Sequence, residues 1–330
     1  MPPVPEPRAV TPEPPAPPAV PADDNLNSVL WVQRSAEYAA ITTSLFRAAA
    51  ERLETALAEP NWDALVPDER GLPTPTAIPA GTPADTDAAT RATTDAGSDA
   101  EADAEPDQEP DAGDDSDPTP PTARDLTGLP PAVILDIDET VLDNSPYQAR
   151  MVLDGTEFND LSWDQWVAEK KARAVPGVVD FAKAAEARGV TLLYISNRAV
   201  HLREATLANL RDEGLPVKDD SVFLGMGLTV EGCEQARESD KLCRRELAGR
   251  NYRVLMQFGD QLGDFVRIPD NSIQGRGAIL DEYRDWFGER WWVLPNPTYG
   301  SWEPAVFGND WAQPRDARRQ AKRQALQPAR

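Results

Sequence analysis

The 330-residue chain has one histidine, His201, and two cysteines, Cys233 and Cys243. A Ser-His-acid hydrolase needs a dedicated histidine, held by an acid, beside a serine on a sharp elbow. Ser196 and His201 are close in sequence, but neither an elbow motif nor an orienting acid accompanies them. His201 begins a predicted helix among polar residues, and its expected place is the surface. Two cysteines support neither a zinc cluster nor a disulfide framework. If both sat on one helix they would be about 15 Å apart, too far to bond, so two reduced, partly buried thiols are expected.

Long apolar runs are also missing. The first 22 residues hold ten prolines, no cysteine for lipid attachment, and no stretch able to serve as a signal-peptide core or membrane span. Residues 71–125 lack aromatics, and Leu72 and Ile78 are their only large aliphatics. Such a segment cannot bury enough surface to offset its ordering entropy. Basic residues number 33 against 56 acids, for a net charge of -23, and residues 71–120 alone carry thirteen acids against Arg91. The acidity therefore belongs mostly to a spacer, and its sign disfavours a nucleic-acid polymer as partner.

What remains divides cleanly. Residues 1–24 read as a Pro-rich disordered arm, 71–125 as an acidic disordered linker, and 313–330, "QPRDARRQAKRQALQPAR", as a loose basic tail. In residues 25–65, Tyr38, Ile41, Leu45, Ala49 and Leu53 recur at helical steps. They predict one long amphipathic helix over about 26–58, capped by Asp24 or Asn25 and docked on the domain beyond the linker. From residue 126 to 312, short apolar runs alternate with helical stretches, the pattern of an α/β domain with a parallel sheet. Strands are expected near 132–137, 190–195, 221–224, 253–258 and 290–294. Helices are expected over 163–171, with Ser162 and Gln165 spaced as a capping box, and over 177–188, 200–213, 234–248 and about 277–287.

The stretch "AVILDIDETVLDNSPY" runs a buried strand into Asp136 and Asp138, two residues apart and predicted to face one side. Ligands bind beyond the carboxyl ends of parallel strands. Like charges there repel, and a hard divalent cation, magnesium, resolves the conflict through carboxylate oxygens. "YRVLMQFGDQLGDF" repeats the arrangement with Asp260 and Asp264. Between them "VTLLYISNR" ends a strand in Ser196 and Asn197, suited to phosphoryl oxygens, and Lys241 supplies positive charge. Lys241 has basic neighbours, Arg244 and Arg245 among them, so a solvated face is the bland alternative for it, with Lys218 the fallback lysine. Thr140 reads as a local turn hydrogen bond.

This order of D-x-D-x-T, strand-terminal Ser-Asn, Lys and G-D-x-x-x-D resembles the haloacid dehalogenase (HAD) superfamily. "ILDIDETVLDNSPYQ", "RAVPGVVDFA", "YISNR", "FGDQLGDF" and "LPNPTYGSWE" narrow the resemblance to the class C acid phosphatases, the lipoprotein e family of acid phosphatase and 5'-nucleotidase. "LNSVLWVQRSAEYAA" is similar to that family too. The resemblance implies a HAD-like Rossmannoid three-layer α/β domain with a small helical cap over about 144–175 and the N-terminal helix docked on it. It implies hydrolysis of small phosphomonoesters, nucleoside 5'-monophosphates included, best at acidic pH and through an aspartyl-phosphate. Asp136 would be the nucleophile and Asp138 the general acid and base. Mg2+ would sit on the Asp136 side chain, the Asp138 carbonyl and Asp260, with Asp264 in support, while Ser196, Asn197 and Lys241 cradle the phosphoryl group. Tyr147, Trp163, Trp166, Tyr299 and Trp302 would contact substrate.

The resemblance also implies a place in the cell envelope, at the outer membrane or in the periplasm, reached through a lipid anchor for which this chain shows no signal. A homo-oligomer is compatible with it. Family members often carry Asn where Gln261 stands, and the acidic linker is unusually long. The rivals are another HAD phosphotransferase or dehalogenase and a non-catalytic envelope protein that binds ligands, haem included. Dehalogenases lack the second aspartate that Asp138 provides, and one histidine disfavours haem.

Overall fold

The computed structural model describes residues 25–70, 126, 128–234 and 239–329. The Pro-rich arm of residues 1–24 and the acidic linker of residues 71–125 lie outside them. Near the N-terminus the chain forms α1 (Leu26–Arg34) and α2 (Ala36–Ala58) rather than one unbroken helix. The break falls at Ser35, whose extended backbone starts a new helix and whose hydroxyl accepts the Tyr38 N–H at 3.1 Å. Asn25 precedes α1 without a side-chain cap. The buried stripe of α2 is Tyr38, Thr42, Phe46, Ala49, Leu53 and Ala56, so Ile41 is left exposed.

Beyond the linker, in chain order, come β1 (Pro131–Leu135), β2 (Leu142–Asp143), α3 (Ser145–Asp154), α4 (Asp160–Glu169), β3 (Arg173–Ala174), α5 (Val178–Ala187) and β4 (Thr191–Ala199). They are followed by α6 (Arg203–Asp212), β5 (Phe223–Met226), α7 (Leu242–Asn251), β6 (Arg253–Gly259), α8 (Ile273–Glu282), β7 (Trp291–Val293), α9 (Trp302–Ala305) and α10 (Arg315–Ala325). Five strands form one parallel sheet in the order β5-β4-β1-β6-β7. β1 and β6 are buried along nearly their whole length, as strands covered on both faces must be, which is why they read as unbroken apolar runs. β2 and β3 pair antiparallel and close a small insertion made of α3 and α4. That insertion is the cap, and its rings of Tyr147, Trp163 and Trp166 pack on one another.

Several expectations need correction. α4 starts at Asp160, because the Asn159 side chain accepts the Ser162 N–H at 2.9 Å; Ser162 is thus inside the first turn and does not cap it. The basic tail is not loose. α10 docks through Arg318, which donates to Glu157 at 2.6 Å, and through Lys322 to Glu303. α7 starts only at Leu242, so Cys233 lies in the preceding loop and meets Cys243 in a disulfide with a Cα–Cα distance of 5.6 Å. The reduced-thiol expectation failed because it rested on a single helix spanning both cysteines.

α2 packs on α5 and β6. Phe46, buried at 1% exposure, stacks on Phe258 at 5.4 Å and meets Phe181 at 5.9 Å. Phe46→Ala is therefore expected to cost the full chain about 3–5 kcal/mol in denaturant unfolding; a loss under about 1 kcal/mol would mean that α2 rests on the sheet without sharing its core.

Candidate active site

The sheet register brings the acids together. β1 lies between β4 and β6, with Leu135 level with Tyr194 on one side and Phe258 on the other. Asp136 follows β1, its N–H bound to the Phe258 carbonyl at 2.9 Å, and Asp260 follows β6 directly. After Gly259 the chain makes a single turn that returns Asp264. A Cβ added to Gly259 would lie 2.3 Å from the Asp264 side chain, so only glycine permits the return. Gln261 and Asp264 cap each other across this turn, the Asp264 carboxylate accepting the Gln261 N–H at 2.8 Å. Carboxylate oxygens of Asp136, Asp260 and Asp264 all lie within 4.8 Å of one another.

Lys241, buried just ahead of α7, donates to Asp136 and to Asp264, the latter at 2.7 Å. Asp260 instead accepts amide donors from Gln261 at 2.6 Å and Asn296 at 2.8 Å. Three acids thus face one ammonium in a buried place, which leaves an excess of negative charge. Burial pushes the Asp136 carboxyl up to about 7 against the pull of Lys241, with Asp264 and Asp138 adding to the rise. Burial likewise drives Asp260 well above the ordinary carboxylate range, helped by Asp264 and Asp136. For Lys241, burial pulls down, but Asp136 and Asp264 outweigh it and the ammonium is held above its usual value. An all-oxygen donor set with surplus negative charge fits a hard divalent cation.

Asp138 is not among the three clustered acids. β1 ends at Leu135, so the alternation of a regular strand no longer governs Asp136 and Asp138, and just past them Glu139 turns the chain with a left-handed backbone at φ 60. The Asp138 carboxylate accepts Arg198 Nε at 2.9 Å, Arg198 Nη2 at 2.8 Å and Asn144 Nδ2 at 2.8 Å, with the Ser196 hydroxyl at 3.4 Å. Thr140 does make a local bond, from its hydroxyl to the second oxygen of Asp136 at 3.2 Å.

Arg198 and Asn144, which hold Asp138, are residues of the candidate site that sequence reasoning passed over. "YISNR" contained the signal: Ser196 and Arg198 are two apart on β4, so they share a face, and both are buried. Asn144 also accepts the Trp166 indole N–H at 2.8 Å and so links the cap to Asp138. Glu139 is a third: buried, it binds the Asn144 N–H at 2.9 Å and the Tyr299 hydroxyl, and burial holds its carboxyl well above its usual range.

Arg244 and Arg245 are fully buried, and Lys241 is buried with them, so the solvated-face alternative for Lys241 falls. Arg244 donates to the Ser196 carbonyl at 2.5 Å and to Asn197 Oδ1 at 2.8 Å, which leaves the Asn197 NH2 as the free end at an exposed position. Burial and the neighbouring Arg245 lower the Arg244 guanidinium to about 10. Lys218 is exposed, and His201 is exposed against Asp164 at 2.8 Å.

Of the expected substrate aromatics, Tyr147 and Trp166 are buried in the cap, and neither ring face is open; the correction follows from their mutual packing. Trp163 lies under the Arg198 guanidinium, Tyr299 is bound to Glu139, and Trp302 is the one substantially exposed. A cleft of about 310 Å³ opens beside the acids, lined in part by Asn197, Asp240, Lys241, Asp264, Arg267 and Asn271.

Residues 118–302 match the family described as HAD superfamily, subfamily IIIB (acid phosphatase). Among solved structures, the chain is similar to the class C acid phosphatase of Bacillus anthracis, at 26% identity and TM-score 0.67, over 93% of this chain and 98% of that one. The tungstate-bound form of that enzyme matches equally. Among curated proteins it is similar to the stem 31 kDa glycoprotein of Glycine max, 27% identical over 50% of this chain and 58% of the relative. It also matches acid phosphatase 1 of Solanum lycopersicum, 24% identical over 50% of this chain and 57% of the relative. The chain spans under three-fifths of the length of these two curated relatives.

The raised carboxyls make a prediction about stability. Acids whose folded pKa exceeds the unfolded value hold protons that the unfolded chain has released, so their contribution is present below pH about 4 and is lost as pH rises through about 7. In EDTA, the melting temperature should therefore fall between about pH 5 and about pH 7.5, and added Mg2+ should restore more of it at the higher pH. Differential scanning fluorimetry reads this directly; a Mg2+ effect no larger at the higher pH would contradict the buried cluster.

Proposed function

Because the chain belongs to the HAD superfamily, subfamily IIIB (acid phosphatase), we propose that it is a Mg2+-dependent phosphomonoesterase acting on small phosphate esters, nucleoside 5'-monophosphates among them. The observation that carries this reading is the convergence of Asp136, Asp260 and Asp264 within 4.8 Å beside Lys241. Asp136, Asp260 and Asp264 would hold the cation. When bound, it supplies charge neutralisation for the phosphoryl oxygens.

Asp136 is the nucleophile, since a carboxylate attacks phosphorus directly and covalent catalysis divides one hard displacement into two. Thr140 and Lys241 each hold one of its oxygens, which fixes the attacking atom. Asp138 gives a proton to the leaving oxygen and later takes one from water, with Arg198 and Asn144 holding its carboxylate. Ser196, Asn197 and Lys241 receive the phosphoryl oxygens, and Arg244 locks the Asn197 amide so that its donors face the cleft. The leaving group occupies the cleft beside Lys241, and Trp302, next in sequence to the cleft-lining Ser301, is the expected aromatic that is substantially exposed.

The disulfide between Cys233 and Cys243 supports an oxidising, extracytoplasmic setting, in keeping with the cell envelope. No helix among the described residues is long and apolar enough to cross a membrane.

Asp136→Asn should abolish turnover of an aryl phosphate, with kcat down by about 10³-fold or more, while circular dichroism stays unchanged. EDTA should silence the wild-type enzyme, and Mg2+ should restore it. Undiminished hydrolysis by the variant would remove the nucleophile, and full activity in EDTA would remove the cation.

A further inference from the structure

The turn that carries Asp260 and Asp264 is held from behind by the N-terminal segment. Arg245 on α7 reaches in two directions. Its Nε donates to Glu69 Oε2 at 2.8 Å, and Nη2 lies 2.6 Å from the same oxygen. Its Nη1 donates to the Gly263 carbonyl at 2.9 Å and the Asp264 carbonyl at 3.4 Å. The other Glu69 oxygen accepts the Arg267 N–H at 2.5 Å. A single carboxylate from the far side of the acidic linker thus braces residues 263–267.

The segment bearing Glu69 is itself fitted to the sheet. Ala64 donates its N–H to the Val254 carbonyl at 2.8 Å, and its own carbonyl accepts Gln257 Nε2 at 2.7 Å and Trp291 Nε1 at 2.8 Å. The approach to α7 depends on Gly249, where an added Cβ would stand 2.5 Å from the Arg70 carbonyl oxygen. A buried ion pair is a weak source of stability, and apolar replacement is often neutral or better. Here its directional bonds end on the backbone of the loop that carries the acids.

We propose that Glu69 and Arg245 are positioning residues for the carboxylate cluster, so that the N-terminal segment sets the Asp260–Asp264 turn in the arrangement that grips a divalent cation. This inference rests on the metal-dependent reading above. Residues that orient metal ligands from behind typically matter by about 10- to 100-fold in metal affinity.

The test is Mg2+ titration by calorimetry on the full chain after EDTA treatment, for wild type, the double variant Glu69→Gln/Arg245→Met, and Gly249→Ala. Removing both charges avoids stranding one, so the double variant should keep its far-ultraviolet spectrum and melt close to wild type. Its Kd for Mg2+ should rise about 10- to 100-fold, and Gly249→Ala should weaken binding in the same direction. A folded double variant with wild-type Kd overturns the proposal. If that variant does not fold, Glu69→Asp serves instead, because the shorter acid keeps its charge but cannot span Arg245 and the Arg267 N–H; unchanged affinity there is equally fatal. A wild-type chain that takes up no Mg2+ brings down the metal-dependent reading, and this inference with it.

Discussion

Carboxylates of like charge, buried at the ends of two adjacent parallel strands, are the constraint on which the rest of the structure depends. Separated aspartates in water would stay ionised without cost, but Asp136 and Asp264 are buried and Asp260 half-buried within one shared space. Each neighbour answers that cost. Lys241 spans two of them, Gln261 and Asn296 bring amides to the third, and Gln261 and Asp264 close their turn on each other. The surplus negative charge left over is what makes the place suited to a divalent cation and, with it, to a phosphoryl group.

Three buried arginines organise the surroundings, and each joins a different part of the chain. Arg198 ties Asp138 to the cap through Asn144, Arg244 ties the end of β4 to the loop before α7, and Arg245 ties the Asp264 turn to Glu69. A guanidinium taken out of water is costly unless its donors are used, and these direct most of theirs to carbonyls, amides and carboxylates around the cluster. Precision at the reacting atoms therefore draws on segments far apart in sequence, including α1 and α2 with the stretch that follows them.

Much of this was legible in the sequence. Continuous apolar runs located all five strands of the sheet because both its faces are covered, and the acids at the ends of β1 and β6 stood out because nothing else explains two such endings. Residues whose roles come from tertiary contacts were harder to read. Arg244 and Arg245 look like an ordinary basic helix face until Glu69, Asn197 and loop carbonyls surround them. Cys233 and Cys243 looked too distant because helical periodicity does not show where α7 begins. The capping role of Asn159 and the break at Ser35 turn on single hydrogen bonds, which a spacing rule places within a few residues at best. Tyr147 and Trp166 have the composition of a binding surface but serve as the packing of the cap.

The most direct measurement is an anomalous difference map from a crystal soaked in Mn2+, which takes the same oxygen-rich sites as Mg2+. The account predicts one strong peak about 2.1–2.3 Å from oxygens of both Asp136 and Asp260, beside Lys241. A map with no peak there, or with manganese held only by surface acids while Lys241 alone balances the cluster, would contradict it.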